Sequence, residues 1–292
     1  MGKANENSGY RKIDIMGIVN ITNDSFYPAS RCLGNEGKAD IGKVLDRIGE
    51  MQEHGASIID IGACSTRPGS ASVSEDEEWK RLHPVLEAVR EKYPDTTISI
   101  DTFRSGIIRK AADIIRLENL IVNDISAGEA DPEMLCTAAE LGLVYIAMHM
   151  RGTPATMQEM CDYNDVTESV LDYFKKFAER ADAAGIREWI LDPGFGFAKT
   201  IGQNYRLLAD LERFSGPEMP VCKNGKKTRI LVGVSRKSMI YKMFGITPEE
   251  SLAQTQVLHL AALERGASIL RVHDVAEAAR TVQIYKMLHQ TR

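Results

Sequence analysis

The chain has 292 residues, of which 43% are hydrophobic, 26% charged and 7% aromatic, a mixture that excludes intrinsic disorder and collagen-like repeats and is large enough to bury a substantial core. Lys and Arg number 36 against 41 Asp and Glu, a net charge of -5, with no long run of either sign; neither nucleic acid nor an acidic membrane is therefore the expected partner, and a small ligand is. Five cysteines, odd in number, scattered and never spaced C-x-x-C, exclude a disulfide framework and a zinc knuckle and read as reduced thiols of a cytoplasmic protein.

Residues 1–12 are polar and lack the apolar stretch of a secretory signal, so they read as a short tail ahead of one domain at 13–292, and no stretch is long and apolar enough to span a membrane. Apolar, largely β-branched runs then recur at 13–19, 58–61, 97–100, 120–122, 144–148, 189–191, 230–234 and 269–272. They are continuous rather than alternating, as strands of a parallel sheet buried on both faces must be. The segments between them carry helix starts, with Ser74 three residues before Glu77, Asp131-Pro132, and Thr247-Pro248-Glu249-Glu250. Helix stops are as plain, since Gly55, Gly142, Gly185 and Gly266 each end a helical pattern shortly before the next strand. Eight strands alternating with helices, and no linker to divide them, predict a single (β/α)8 TIM barrel in preference to an open doubly wound sheet. The irregular segment 215–228, with Gly216-Pro217, Pro220 and a lysine cluster, reads as an exposed loop.

In such a barrel the reacting groups lie at the C-terminal ends of the strands. The residues found there are Asn20, Asp60, Asp101, Thr102, Asn123, Asp124, His149, Asp192, Ser235-Arg236-Lys237, Arg271 and His273. Any one of these Asp residues alone would read as a helix cap, but their convergence on one face reads as an active site. Asp60, Asp101 and Asp192, with Asn123 and Lys237, suit a flat heterocycle edged with donors and acceptors, such as a purine or pterin. Arg67, Arg271 and His273 are expected as cations for a phosphate group elsewhere in the same mouth. A hard cation such as Mg2+, held by one oxygen ligand and by phosphate, is compatible with the absence of any His-Glu-x-x-His or cysteine cluster.

These segments, taken together, resemble the dihydropteroate synthase family of pterin-binding barrels. The resemblance is carried by Gly17-Ile18-Val19-Asn20 with Asp24-Ser25-Phe26, by Asp60-Ile61-Gly62 with Ser65-Thr66-Arg67-Pro68-Gly69, and by Ser99-Ile100-Asp101-Thr102. It continues through Val122-Asn123-Asp124, Met148-His149-Met150, Asp192-Pro193-Gly194-Phe195-Gly196-Phe197, Ser235-Arg236-Lys237-Ser238 and Arg271-Val272-His273-Asp274. The family is a transferase family of folate biosynthesis and a sulfonamide target. The resemblance implies joining of 6-hydroxymethyl-7,8-dihydropterin diphosphate to 4-aminobenzoate, with Mg2+ as cofactor and a homodimer formed through late helices, where 252–263 and 282–288 carry apolar faces. It also implies that Asp101, Asn123, Asp192 and Lys237 hold the pterin, with Asp60, Met148 and Phe197 in the same substrate site. By the same resemblance Asn20 binds the metal, Arg271 and His273 hold diphosphate, and Phe26, Thr66, Pro68 and Ser238 border 4-aminobenzoate. Arg67, Lys237 and Asp101 are then the groups nearest the chemistry, Arg67 on a loop.

The chain departs from the family pattern in three places. Asn23 and Tyr27 to Ser30 replace a Pro and a second acidic residue of the first loop, Ala63-Cys64 stands for Gly-Glu, and Ala198 stands for a Gly ahead of Lys199. Rival readings are a methyltetrahydrofolate-dependent corrinoid methyltransferase, which leaves Ser65 to Gly69 unexplained, and a pterin-binding protein without catalysis. Gly34 and Gly37 after Phe26, and Gly62 and Gly69 about Arg67, give both loops the backbone freedom to fold over a bound substrate. 4-Aminobenzoate is therefore expected to bind only once pterin diphosphate is in place. Tight binding of 4-aminobenzoate to the ligand-free protein in a titration would show instead a preformed pocket.

Overall fold

The computed structural model describes residues 11–22, 39–64 and 73–290. Eight parallel strands close a barrel in sequence order, with β1 also paired to β8. The strands are β1 Asp14–Asn20, β2 Ile58–Gly62, β3 Thr97–Asp101, β4 Leu120–Asp124, β5 Val144–Met148, β6 Trp189–Asp192, β7 Arg229–Val232 and β8 Ile269–Val272. Around them run α1 Ile41–Glu53, α2 Glu75–Lys92, α3 Ser105–Ala112, α4 Met134–Glu140, α5 Val166–Ala184, α6 Ile201–Ala209, α7 Ser238–Phe244, α8 Leu252–Glu264 and α9 Val275–Gln290. The expected single (β/α)8 barrel is the fold. Among the described residues no helix is long and apolar enough to cross a membrane.

Alternation along the strands explains both the core and the site. One parity faces the helices: Ile59 and Ile61, Ile98 and Ile100, Trp189 and Leu191 pack into the main cluster with Val44, Leu82, Phe174 and Phe177. The other parity fills the barrel, where Met16, Ile58, Ile121, Ile146, Ile190, Leu231 and Ile269 form a separate buried layer. Two residues further along the same strands, and so on the same inner face, stand Ile18, Asp60, Asn123, Met148, Asp192 and Arg271. The apolar plug is thus the floor on which the polar layer rests.

The helix signals act as expected at most positions. Ser74 caps α2 by accepting from the Glu77 N–H at 3.2 Å, and Gly55, Gly142, Gly185 and Gly266 all take positive φ, between 66° and 103°. The reciprocal bonds of Thr247 and Glu250, 3.3 and 2.8 Å, form around a 3-10 turn that leads into α8 rather than at the helix itself. Asp131 accepts from the N–H groups of both Ser105 and Glu133, so it also stitches α3 to the turn ahead of α4. Segment 215–228 exposes its lysines, yet Met219 and Cys222 are buried and Cys222 receives the Trp189 N–H, which ties it to the start of β6. Of the tail, Arg11 is described, donating to the Leu263 carbonyl at 2.7 Å.

Candidate active site

Asn20, Asp60, Asp101, Asn123 and Asp192 all belong to the C-terminal ends of strands, within the ladder and not after it. Arg271 likewise sits inside β8, not beyond it. This placement changes its surroundings. Its Nε and Nη2 donate to Asp60 Oδ2 at 2.7 and 2.5 Å, and Nη2 donates to Asp101 Oδ2 at 2.8 Å. Asn123 Nδ2 donates to the two Asp60 oxygens at 3.1 and 3.3 Å. The expectation that Arg271 stands apart at a phosphate end thus meets a different geometry: β8 closes against β1, and the inward side chain of its third residue reaches across the mouth to β2 and β3.

The electrostatics follow from burial. Asp101 is pushed up to about 7 by loss of solvent, Arg271 opposing and Asp60, Glu78 and Asp124 reinforcing the shift. Asp192, at the end of β6, is also raised by burial, with Lys237 the main opposing charge, and its Oδ1 accepts from the Gly194 N–H at 2.8 Å. Lys237 is lowered to about 8, burial outweighing the attraction of Asp192. Its Nζ donates to the Phe195 carbonyl and lies 4.5 Å from the centre of the Phe197 ring. Ser238 follows as the first residue of α7. Met148 pairs in register with Asp192, which puts its buried side chain beside the carboxylate.

His273 is not a cation: burial first, then the charges of Arg271, Arg47, Arg236 and Lys237, push its imidazole down to about 3, so at neutral pH it offers hydrogen bonds without charge. Phe26, Thr66, Arg67 and Pro68 lie outside the described residues. Arg236, read as a mouth residue, is fully used in the scaffold. It is buried, donates to both Asp274 oxygens at 2.8 and 2.9 Å and also to the Pro248 and Glu249 carbonyls. Asp124 is consumed similarly, accepting from Ser126, Gly128 and the Tyr145 hydroxyl.

Among the described residues no three His, Cys, Asp or Glu side chains cluster to hold a metal. Asn20, half-buried at the end of β1, offers one amide oxygen. That donor fits Mg2+, which takes few protein oxygens and fills its octahedron with water and substrate phosphate.

The sequence reading passed over Lys199. Its buried Nζ makes three bonds, to His149 Nδ1 and the Gly194 carbonyl at 3.0 Å each and to the Phe197 carbonyl at 2.9 Å. The signal was present as a lysine closing a motif that after Asp192 holds only Pro, Gly, Phe and Ala, but its partners come mostly from the loop backbone. Gly194 is irreplaceable here, since at φ +71° a Cβ would lie 2.0 Å from the His149 carbonyl oxygen. Ala198, by contrast, holds φ +50° without being glycine. Ala198→Gly should remove this left-handed strain and stabilise the protein by about 1 kcal/mol in urea unfolding; an unchanged or lower midpoint would contradict that.

The chain matches the pterin binding enzyme family over residues 16–273. It is 39% identical over 275 residues to the dihydropteroate synthase of Escherichia coli (strain K12), covering 92% of this chain and 89% of the relative. Dihydropteroate synthase of Yersinia pestis, solved as a sulfonamide drug complex, superposes with a TM-score of 0.84 at 36% identity, covering 96% of this chain and 95% of that one. The Burkholderia cenocepacia dihydropteroate synthase complexed with 7,8-dihydropteroate gives 0.80 at 34% identity, over 96% of this chain and 92% of that one. With an eight-stranded barrel, a mouth of buried carboxylates and this similarity along nearly its whole length, the chain belongs to the pterin-binding enzyme family.

Proposed function

We propose that this chain performs the dihydropteroate synthase reaction, joining 6-hydroxymethyl-7,8-dihydropterin diphosphate to 4-aminobenzoate and releasing diphosphate. The observation that carries the reading is the gathering of Asp60, Asn123, Asp101, Asp192, Lys237 and Arg271 in one buried mouth. Carboxylates, an amide and a lysine there suit the donor and acceptor edge of a pterin, and 7,8-dihydropteroate is what the Burkholderia protein holds. Asp192 and Asn123 recognise the ring edge, Lys237 lies beside the ring, and the carbon–oxygen bond to diphosphate breaks as the amine forms the new carbon–nitrogen bond and gives up its proton to water. His273 donates to the leaving diphosphate as a neutral imidazole. Asn20 is the residue that would hold Mg2+, which would supply positive charge to the leaving diphosphate when bound. No protein nucleophile is used, in keeping with Cys64, whose thiol is raised by burial and kept protonated.

Lys237 is charged below about pH 8 and loses its proton above it. Pterin affinity should therefore fall as the pH rises past 8. A Kd that is flat from pH 7 to 9.5 would remove Lys237 from the ring site.

The free thiols of Cys64, Cys136, Cys161 and Cys222 suit the cytoplasm. A homodimer through α8 and α9 is supported by exposed Val257, Ile284, Met287 and Leu288, between 52% and 67% accessible. The deciding assay is diphosphate release from the pterin substrate. Release that depends on 4-aminobenzoate is the expected result; no release, with pterin still bound, would mean a non-catalytic pterin-binding protein.

A further inference from the structure

We propose that Lys199 is the positioning residue of the loop that follows β6: its side-chain nitrogen fixes the backbone from Gly194 to Phe197, and thereby sets where Asp192 and Lys237 meet the substrate. This rests on the reading of Asp192 and Lys237 as pterin-holding groups.

The loop has little regular backbone pairing of its own. Gly194, Ala198 and the intervening Gly196 all take left-handed φ, at +71°, +50° and +83°, so no regular ladder runs through it. One turn bond is internal, from the Phe197 N–H to the Gly194 carbonyl at 3.1 Å, and side chains take up each carbonyl from 194 to 197 in addition. Lys199 takes those of Gly194 and Phe197, Lys237 that of Phe195, and Gln158 that of Gly196 at 3.3 Å. Lys199 alone binds two of the four, and its third bond, to His149 Nδ1, ties the loop to the end of β5. The Gly194 N–H meanwhile orients Asp192, and the Phe197 ring lies against Lys237. Both groups assigned to the pterin are thus referred to backbone that Lys199 holds.

Packing alone does not explain a lysine here. Its bonds go to two carbonyls and an imidazole, not to a carboxylate, and a buried ammonium without a paired acid is costly. Burial pushes it down to about 7 against the attraction of Asp192, which records that cost. Methionine would fill the same channel without it. The arrangement is instead suited to geometry. As an ammonium, Lys199 donates to both carbonyls and to Nδ1; as an amine, it still donates to both carbonyls and accepts from an Nδ1–H tautomer, so the frame keeps its shape in either state.

The test separates position from stability. In Lys199→Met the Kd for 6-hydroxymethylpterin, measured by calorimetry with the binding stoichiometry fixing the folded fraction, should weaken at least tenfold. A merely structural lysine would lower the melting temperature and leave that Kd unmoved, so a Kd within twofold of wild type in the folded variant overturns the proposal. Asp192→Asn run alongside distinguishes the two levels. If it too binds pterin normally, the reading of the site has failed; if it loses binding while Lys199→Met does not, only the positioning role has failed. Should Lys199→Met not fold, 15N spectra of His149 in the wild-type protein decide: an Nδ1 hydrogen-bonded to Lys199, as acceptor or as donor, with and without 6-hydroxymethylpterin is expected, and an Nδ1 with no such bond in either state overturns the proposal.

Discussion

Replacing Asp192 by alanine is expected to weaken pterin binding by about 5- to 150-fold, the equivalent of about 1–3 kcal/mol for a ring donor left unpaired in a buried site. The carboxylate ends β6, is buried, and has one oxygen bonded to the Gly194 N–H while the inner face of the barrel leaves it directed into the mouth. Burial raises its proton affinity, so it waits as a poorly solvated acceptor whose affinity for ring N–H groups water does not dilute. Alanine removes the acceptor and leaves those donors facing Met148 and the apolar floor. Calorimetry with 6-hydroxymethylpterin measures the loss, and an unchanged Kd would take Asp192 out of the ring site.

Arg271→Ala should have the largest effect on stability, about 3–5 kcal/mol, because it strands two buried carboxylates with no cation between them. The pH dependence supplies the signature. Asp101 is raised to about 7 even with Arg271 attached; without it the folded-state pKa rises further above the unfolded value. A carboxylate raised in the folded state stabilises while it is protonated, below its unfolded pKa near 4, and that stability is lost as pH climbs through the folded pKa. The deficit of the variant should therefore be smallest at pH 5 and largest at pH 8 in urea unfolding. Since Arg271 shares Asp60 with Asn123, pterin lacking phosphate should also bind less well, whereas a cation devoted to diphosphate would weaken the diphosphate form alone. Equal stability loss at both pH values would show that the two carboxylates are not coupled through Arg271.

The barrel itself was legible in the chain. Strands buried on both faces must be continuously apolar, and the polar residue that ends each run is visible because a mouth open to ligand is where burial of charge can be repaid. Asp60, Asp101, Asn123 and Asp192 were found by that rule alone, and the motifs in register added the pterin. What spacing could not supply was partnership. Arg271 reads as a free phosphate ligand until closure of β8 on β1 brings it against Asp60, 211 residues away, and His273 reads as a cation until burial, reinforced by four neighbouring positive charges, keeps it neutral. Arg236 and Lys237 are adjacent and alike in sequence, yet one is spent on Asp274 and two carbonyls while the other overlooks Phe197. Local sequence determines periodicity, capping and which residues can bear charge, because those depend on neighbours along the chain. Which charges are cancelled, which are left for a ligand and which, like Lys199, hold the backbone depends on groups the barrel brings together from opposite ends of the chain, and only the tertiary structure decides it.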